Sequence, residues 1–193
     1  MGISTGTISG QESQITYANI DSEHLLEKMI ATHGSGLLRY CHSILLDYHE
    51  AQDVVQSTFI KAYSKISSPE SLNASKIHGA WLYRAAYTAC IDVIRRKKLQ
   101  SLFFLKNSIQ DTTTTPEYFM SDNVNSILSK LSPKDRALVF SRAVEGLEYN
   151  ELVTVYGSNA AALRKRYERA KSKLVKTLKA SDLYEGGNDL ETK

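Results

Sequence analysis

The sequence predicts an all-α protein of two small helical domains joined by a flexible linker, and three observations carry that expectation. Apolar residues recur at steps of three and four through most of the chain. Stretches with the two-residue alternation of a half-buried strand are nearly absent. A β-branched polar run closed by a helix breaker, Asp111–Thr115 and then Pro116, interrupts the pattern between residues 101 and 121.

Residues 1–20 are rich in Ser, Thr and Gly and are expected to be disordered. The first domain takes residues 21–100. Asp21 or Ser22 can cap a helix reaching about Ile30, and Leu37–Leu46 makes a second. A third runs from about Ala51 to Ile66, where Ala51, Val54, Val55, Thr58, Phe59 and Ala62 share one face. Ser67–Ser75, with Pro69 and Asn73, reads as a loop. Ile77–Lys98 then forms a long helix ending in Arg95, Arg96, Lys97 and Lys98, four bases that suit the negative end of a helix dipole.

The second domain takes residues 122–180, and 181–193 form a tail. Ser132 caps a helix that has Pro133 at its first position and Asp135 in its first turn, and Gly146 ends it. The segment Glu148–Leu178 is the most informative in the chain. It reads as two helices around a turn at Gly157, with Asn159 capping the second. Ala160, Leu163, Tyr167, Ala170, Leu174 and Leu178 form its buried stripe. Between residues 160 and 180 the other faces carry Arg164, Lys165, Arg166, Arg169, Lys171, Lys173, Lys176 and Lys179 against one acid, Glu168. This is the pattern of a helix-turn-helix, whose second helix can enter a DNA major groove.

Composition sets bounds on the alternatives. At 193 residues with 42% hydrophobic and 23% charged residues, the chain can bury one medium core or two small ones. A net charge of +3 identifies no partner, but its segregation does more. From Leu45 to Ile60 the formal charges are Asp47, Glu50 and Asp53, while bases collect at 95–98 and on the last helix. Such segregation suits one face for a cationic protein and another for an anionic polymer. Cys41 and Cys90, set in apolar helical patterns, read as reduced buried thiols. No apolar run approaches a membrane span, and residues 1–11 lack a signal-peptide pattern, so the expectation is a cytoplasmic protein.

Catalytic and metal chemistry are not indicated. Cys41, His42 and His49 come nearest to a ligand group, without a HExxH, paired CxxC or Asp-rich loop beside them. Gly34-Ser35-Gly36 lacks the lysine and preceding strand of a phosphate loop. No enzyme, cofactor or metal site is expected.

Three stretches resemble the extracytoplasmic-function class of bacterial sigma factors. HEAQDVVQSTFIKAYSKI is similar to that family's core-polymerase-binding segment, and GAWLYRAAYTACIDVIRRKK to the segment that binds and opens the minus-ten element. LSPKDRALVFSRAVEGLEYNELVTVYGSNAAALRKRYERAKSKL resembles the minus-thirty-five reading domain. The order is the family's, and the likeness covers most of residues 21–178.

The resemblance implies site residues. Asp53 and Gln56, with Ser57 and Ile60 beside them, match positions that meet the clamp helices of the polymerase largest subunit. They are expected on the face opposite Val54, Val55 and Phe59; Ser57 stands where a glutamate is usual. The loop 71–76 matches the place where an unstacked minus-ten base is captured, with Asn73, Ser75 and Lys76 as polar readers. Trp81, Tyr83 and Arg84 fit a WLYR motif, in which Trp81 forms core or a partly covered platform and Arg84 contacts duplex. Arg95, Arg96, Lys97 and Lys98 would hold phosphates. On the second domain Arg142, Asn159, Arg164, Lys165, Arg166, Glu168 and Arg169 would face the minus-thirty-five DNA, with Lys165 and Glu168 selecting the promoter. The implied partners are core polymerase, promoter DNA and an anti-sigma protein able to hold the chain near a membrane without insertion. The alternatives are a helix-turn-helix regulator with an unrelated helical partner, or a sigma mimic that occupies polymerase without initiating.

Overall fold

The computed structural model describes residues 9–68, 79–103 and 122–180. Seven helices and no strand occur among them: α1 (Ser9–Leu45), α2 (Tyr48–Ile66), α3 (Gly79–Phe103), α4 (Asp122–Ser129), α5 (Pro133–Ala143), α6 (Tyr149–Tyr156) and α7 (Ala160–Ala180). The all-α expectation holds.

The first domain departs from expectation at its start. One helix of 37 residues replaces the two expected, beginning at Ser9 rather than at an Asp21 or Ser22 cap. It runs unbroken through Gly34 and Gly36, although a mid-helix glycine costs roughly 1 kcal/mol relative to alanine. Tertiary packing outweighs that local preference, because Leu37, Tyr40, Cys41 and Ile44, just beyond the glycines, are fully buried. The helix ends where Leu46 takes a positive φ of 56°. Asp47 then caps α2, accepting from the Glu50 amide at 3.1 Å.

Helices α1, α2 and α3 enclose one core of Leu37, Tyr40, Cys41, Ile44, Ala51, Val54, Phe59, Ala62, Leu82, Ala86, Cys90 and Val93. The two free thiols are buried, as expected, and Cys41 and Cys90 contact each other across α1 and α3. That contact, followed by burial, pushes the Cys90 thiol well above its ordinary pKa.

In the second domain the capping and turn signals at Ser132, Gly157 and Asn159 hold, but α5 ends at Ala143 with Val144 as its cap and not at Gly146. Ser132 caps α5, accepting from the Asp135 amide at 3.2 Å, with Pro133 in the first turn. A reciprocal pair of bonds between Glu148 and Glu151 caps α6. Gly157 ends that helix at φ 63°, and Asn159 Oδ1 accepts from the Ala162 amide at 2.8 Å at the start of α7. Leu138, Leu152 and Leu163 form the small core between these helices.

The two domains are packed together in this structure. Ala137, Phe140 and Val155 of the second domain belong to the core of the first, with Leu147 and Tyr156 against it. Fully burying a residue such as Phe140 contributes roughly 1.5–3 kcal/mol. A buried arginine reinforces the seam: Arg136 on α5 donates through Nη1 to the Leu131 carbonyl at 3.1 Å and through Nη2 to the Ile44 carbonyl. The second bond places a cation at the negative end of the α1 dipole.

Candidate protein-docking and nucleic-acid faces

Helices α1 and α2 form an open groove of about 530 Å³. Ile30, Leu38, Val55 and Phe59 supply apolar lining, and Gln52, Asp53 and Gln56 the polar groups. Val55 and Phe59 therefore share this groove with Asp53 and Gln56, which corrects the expectation that they lie on opposite faces. The reason is geometric: Ala51, Val54, Thr58, Phe59, Ala62 and Ile66 are the buried residues of α2, Phe59 at the groove's edge, while Val55 is only half-buried. Asp53 and Gln56 are exposed, and Ile60, one turn beyond Gln56, is 60% exposed. Ser57 is half-buried and donates to the Val54 carbonyl at 2.9 Å. An apolar trough bearing one carboxylate and two amides suits a helix that presents both aliphatic and cationic side chains.

The bases ending α3 are not equivalent. Lys97 Nζ lies 3.2 Å from both Asp47 Oδ2 and Glu50 Oε1, tying α3 to the start of α2. Burial works against the Lys97 ammonium, but its bonds to Asp47 and Glu50 prevail and raise its pKa. Arg95 pairs with Asp92 at 3.3 Å. Arg96 and Lys98 are exposed and have no ion pair among the described residues, so they are the cations most available to phosphates.

Trp81 is half-buried against the first core. Arg84 is exposed yet donates to the Thr154 carbonyl of α6 at 2.7 Å. Asn73, Ser75 and Lys76 lie outside the described residues.

On α7, Arg164, Lys165, Glu168 and Arg169 are exposed, and the Arg164 guanidinium sits 4.8 Å from the Tyr149 ring centre. The Arg142 guanidinium lies 5.4 Å from the same Tyr149 ring centre and donates to Glu148 Oε1 and the Leu147 carbonyl, each at 3.2 Å. Arg166 differs: half-buried, it donates to Asp135 Oδ1 at 2.6 Å and holds α7 on α5. Burial would raise the Asp135 carboxyl, but its bonds to Ser132 and Arg166 outweigh that and lower its pKa.

The junction between domains was not legible in the residue pattern. Tyr83 on α3 donates to Glu145 Oε2 at 2.5 Å. The hydroxyls of Tyr40 and Tyr156 lie 3.0 Å apart, and those of Ser141 and Tyr156 2.8 Å apart. Tyr87 and Tyr156 meet edge to face at 4.8 Å. Burial raises the pKa of Tyr83 and Tyr156, so both remain neutral hydroxyls. These contacts join residues far apart in the sequence, so no local periodicity marks them.

The α1–α2 groove and the exposed basic face of α7 are two separate faces of opposite chemistry on an all-helical frame. Residues 29–100 match the family model for sigma-70 region 2. Over 171 residues the chain is 23% identical to the RNA polymerase sigma factor NccH of Alcaligenes xylosoxydans xylosoxydans, covering 83% of this chain and 90% of that one. Over 160 residues it is 24% identical to the sigma factor SigW of Bacillus subtilis, covering 74% and 83%. Its fold is similar to that of CnrH bound to the cytosolic domain of CnrY, with a TM-score of 0.63 at 23% identity over 86% of this chain and 96% of that one. It is also similar to RpoE of Bartonella quintana bound to the anti-sigma factor NepR, with a TM-score of 0.64 at 19% identity over 80% and 97%. Residues 29–100 thus match a sigma-70 region 2, and the chain is similar over most of its length to RNA polymerase sigma factors, extracytoplasmic-function ones among them.

Proposed function

We propose that this chain is an alternative sigma factor that binds core RNA polymerase and directs promoter recognition and opening, without catalysis of its own. The observation that carries the reading is the pairing of a sigma-70 region 2 bearing the α1–α2 groove with a second domain bearing an exposed basic α7. In this reading residues 21–100 act as region 2 and residues 122–180 as region 4.

Asp53, Gln56, Ser57 and Ile60 meet the clamp helices of the polymerase largest subunit. The carboxylate supplies charge complementarity and Ile60 supplies apolar area. Arg84, Arg95, Arg96 and Lys98 approach the minus-ten region once the junction has opened, and Asn73, Ser75 and Lys76 take the extruded base. Flipping costs a few kcal/mol, which stacking and edge contacts offset at roughly 1–3 kcal/mol per base. Arg164, Lys165, Glu168 and Arg169 read the minus-thirty-five duplex, with Asn159 starting the helix and Arg142 at its flank. An anti-sigma protein is the expected antagonist, since the structurally similar RpoE was solved in complex with the anti-sigma factor NepR. No helix among the described residues is long and apolar enough to cross a membrane, which accords with action in the cytoplasm.

The test is run-off transcription with core polymerase on fragments of the source genome. RNA starting at discrete sites, dependent on this chain, supports the reading. Core binding without initiation identifies a sigma mimic, and no core binding identifies a conventional regulator.

A further inference from the structure

Two guanidiniums from different helices share one aromatic ring on the second domain. Tyr149 is the first residue of α6, where the reciprocal bonds of Glu148 and Glu151 fix the backbone. Its ring packs against the small core of Leu138, Leu152 and Leu163, which holds it in place. Over that ring lie Arg142, from the last turn of α5, at 5.4 Å and Arg164, from the second turn of α7, at 4.8 Å. Both distances fall within the roughly 6 Å at which a cation is drawn to an aromatic face.

A guanidinium over a ring is held by its charge rather than by its N–H donors, so the donors stay available. Arg164 makes no hydrogen bond or ion pair among the described residues, and its whole donor fork is free for a base edge. Arg142 gives Nη1 to the Leu147 carbonyl and to Glu148 Oε1, which leaves Nε and Nη2. What the ring supplies is order. An arginine already held in place needs no further ordering when it binds, a gain of roughly two- to tenfold in affinity for each such side chain.

We propose that Tyr149 is a positioning residue for promoter reading: its ring gathers the Arg142 and Arg164 guanidiniums into one rigid group, so that α5 and α7 present them to the minus-thirty-five duplex together. This rests on the sigma-factor reading for the DNA it serves, though not for the cluster itself. Tyr149 acts through the two arginines, and the part that matters is its ring and not its hydroxyl. The three side chains then behave as a unit, and removing the ring loses what both arginines gain from it.

The experiment uses the full-length chain, alone and bound to core polymerase, as wild type, Tyr149→Phe, Tyr149→Leu and Arg142→Ala/Arg164→Ala. Tyr149→Phe keeps the ring, whereas Tyr149→Leu keeps apolar packing without it. In the free chain the Nε–H resonances of Arg142 and Arg164 are expected to be ring-shifted in wild type and Tyr149→Phe, and to return to ordinary positions in Tyr149→Leu. The polymerase-bound chain is then titrated with the minus-thirty-five duplex that wild type selects from a randomised library. Tyr149→Leu is expected to bind it roughly tenfold more weakly and to relax preference at the bases that Arg164→Ala relaxes, with Tyr149→Phe matching wild type. Placed on Arg142→Ala/Arg164→Ala, Tyr149→Leu should cause no further loss, whereas a merely structural role would add its loss in full. An additive loss overturns the proposal, as does Tyr149→Leu binding like wild type. Tyr149→Phe falling with Tyr149→Leu overturns it too, by assigning the effect to the hydroxyl. Ring-shifted signals that vanish in Tyr149→Leu, while wild type selects no sequence, uphold the arginine cluster and remove the sigma-factor reading instead.

Discussion

Lys97 Nζ bridges Asp47 and Glu50 at 3.2 Å each, so a base from the run that looks made for phosphate instead fixes α3 to the N-terminus of α2. With the Lys97 side chain 51% exposed, solvent screening limits the bridge to about 0.2–1 kcal/mol. Lys97→Gln is expected to lower stability within that range while leaving promoter affinity near wild type. Arg96→Gln and Lys98→Gln should do the reverse, weakening binding on all promoters alike and reducing its salt slope. Urea unfolding and promoter titration at two salt concentrations distinguish the two patterns. Lys97→Gln behaving like Lys98→Gln would return Lys97 to the phosphate-binding set.

The α1–α2 groove supplies a second test. Ile60 is exposed and Asp53 and Gln56 stand beside it, so none of the three is needed for folding. Ile60→Ser and the double change Asp53→Ala/Gln56→Ala should each weaken core-polymerase binding about tenfold, equivalent to roughly 1.4 kcal/mol. Melting temperatures and binding of the minus-thirty-five duplex should not move. Unchanged core affinity would show that the groove faces some other partner.

Arginines two residues apart on α7 should part company. Arg164 stacks by Tyr149 and faces outward, whereas Arg166 is paired with Asp135. Arg164→Ala is expected to relax preference at particular bases, at roughly 1–3 kcal/mol for a two-pronged guanine contact. Arg166→Ala should lower the melting temperature and affect all sequences together. Selection from a randomised minus-thirty-five duplex library, read beside thermal melts, reports both; matching profiles for the two variants would cancel the distinction.

Much of the second domain was legible in the sequence because its signals are local. Ser132, Gly157 and Asn159 all act at the turn or cap assigned to them, since such bonds involve neighbours three or four residues apart. The groove was partly legible: the face of Asp53 and Gln56 follows from helix periodicity, but its sharing with Val55 depends on the angle at which α1 crosses. The continuity of α1 through Gly34 and Gly36 was hidden because packing by α3 and α5 overrides glycine's helix cost. Tyr83–Glu145 and Arg84–Thr154, at separations of 62 and 70 residues, are long-range contacts with no periodic trace.

His42 gives the fold a pH dependence of definite sign. It is fully buried near the end of α1, with Tyr48 edge-on at 6.5 Å. Burial lowers its pKa, and the nearby Asp47 carboxylate offsets this only in part. The unfolded chain, with an ordinary imidazole near 6.5, therefore binds a proton more readily than the folded one. Stability is complete above the unfolded value and falls as pH drops below it, through the lower folded pKa. Each unit of depression corresponds to about 1.4 kcal/mol. The Asp47 carboxyl, held below its ordinary value against burial by the Glu50 amide and Lys97, adds a loss in the same direction in more acidic solution. Wild-type melts between pH 7.5 and 5.5 should shift downward, and His42→Leu should flatten that dependence whatever its effect at pH 7.5. Parallel pH profiles for the two proteins would assign the acid sensitivity to other groups.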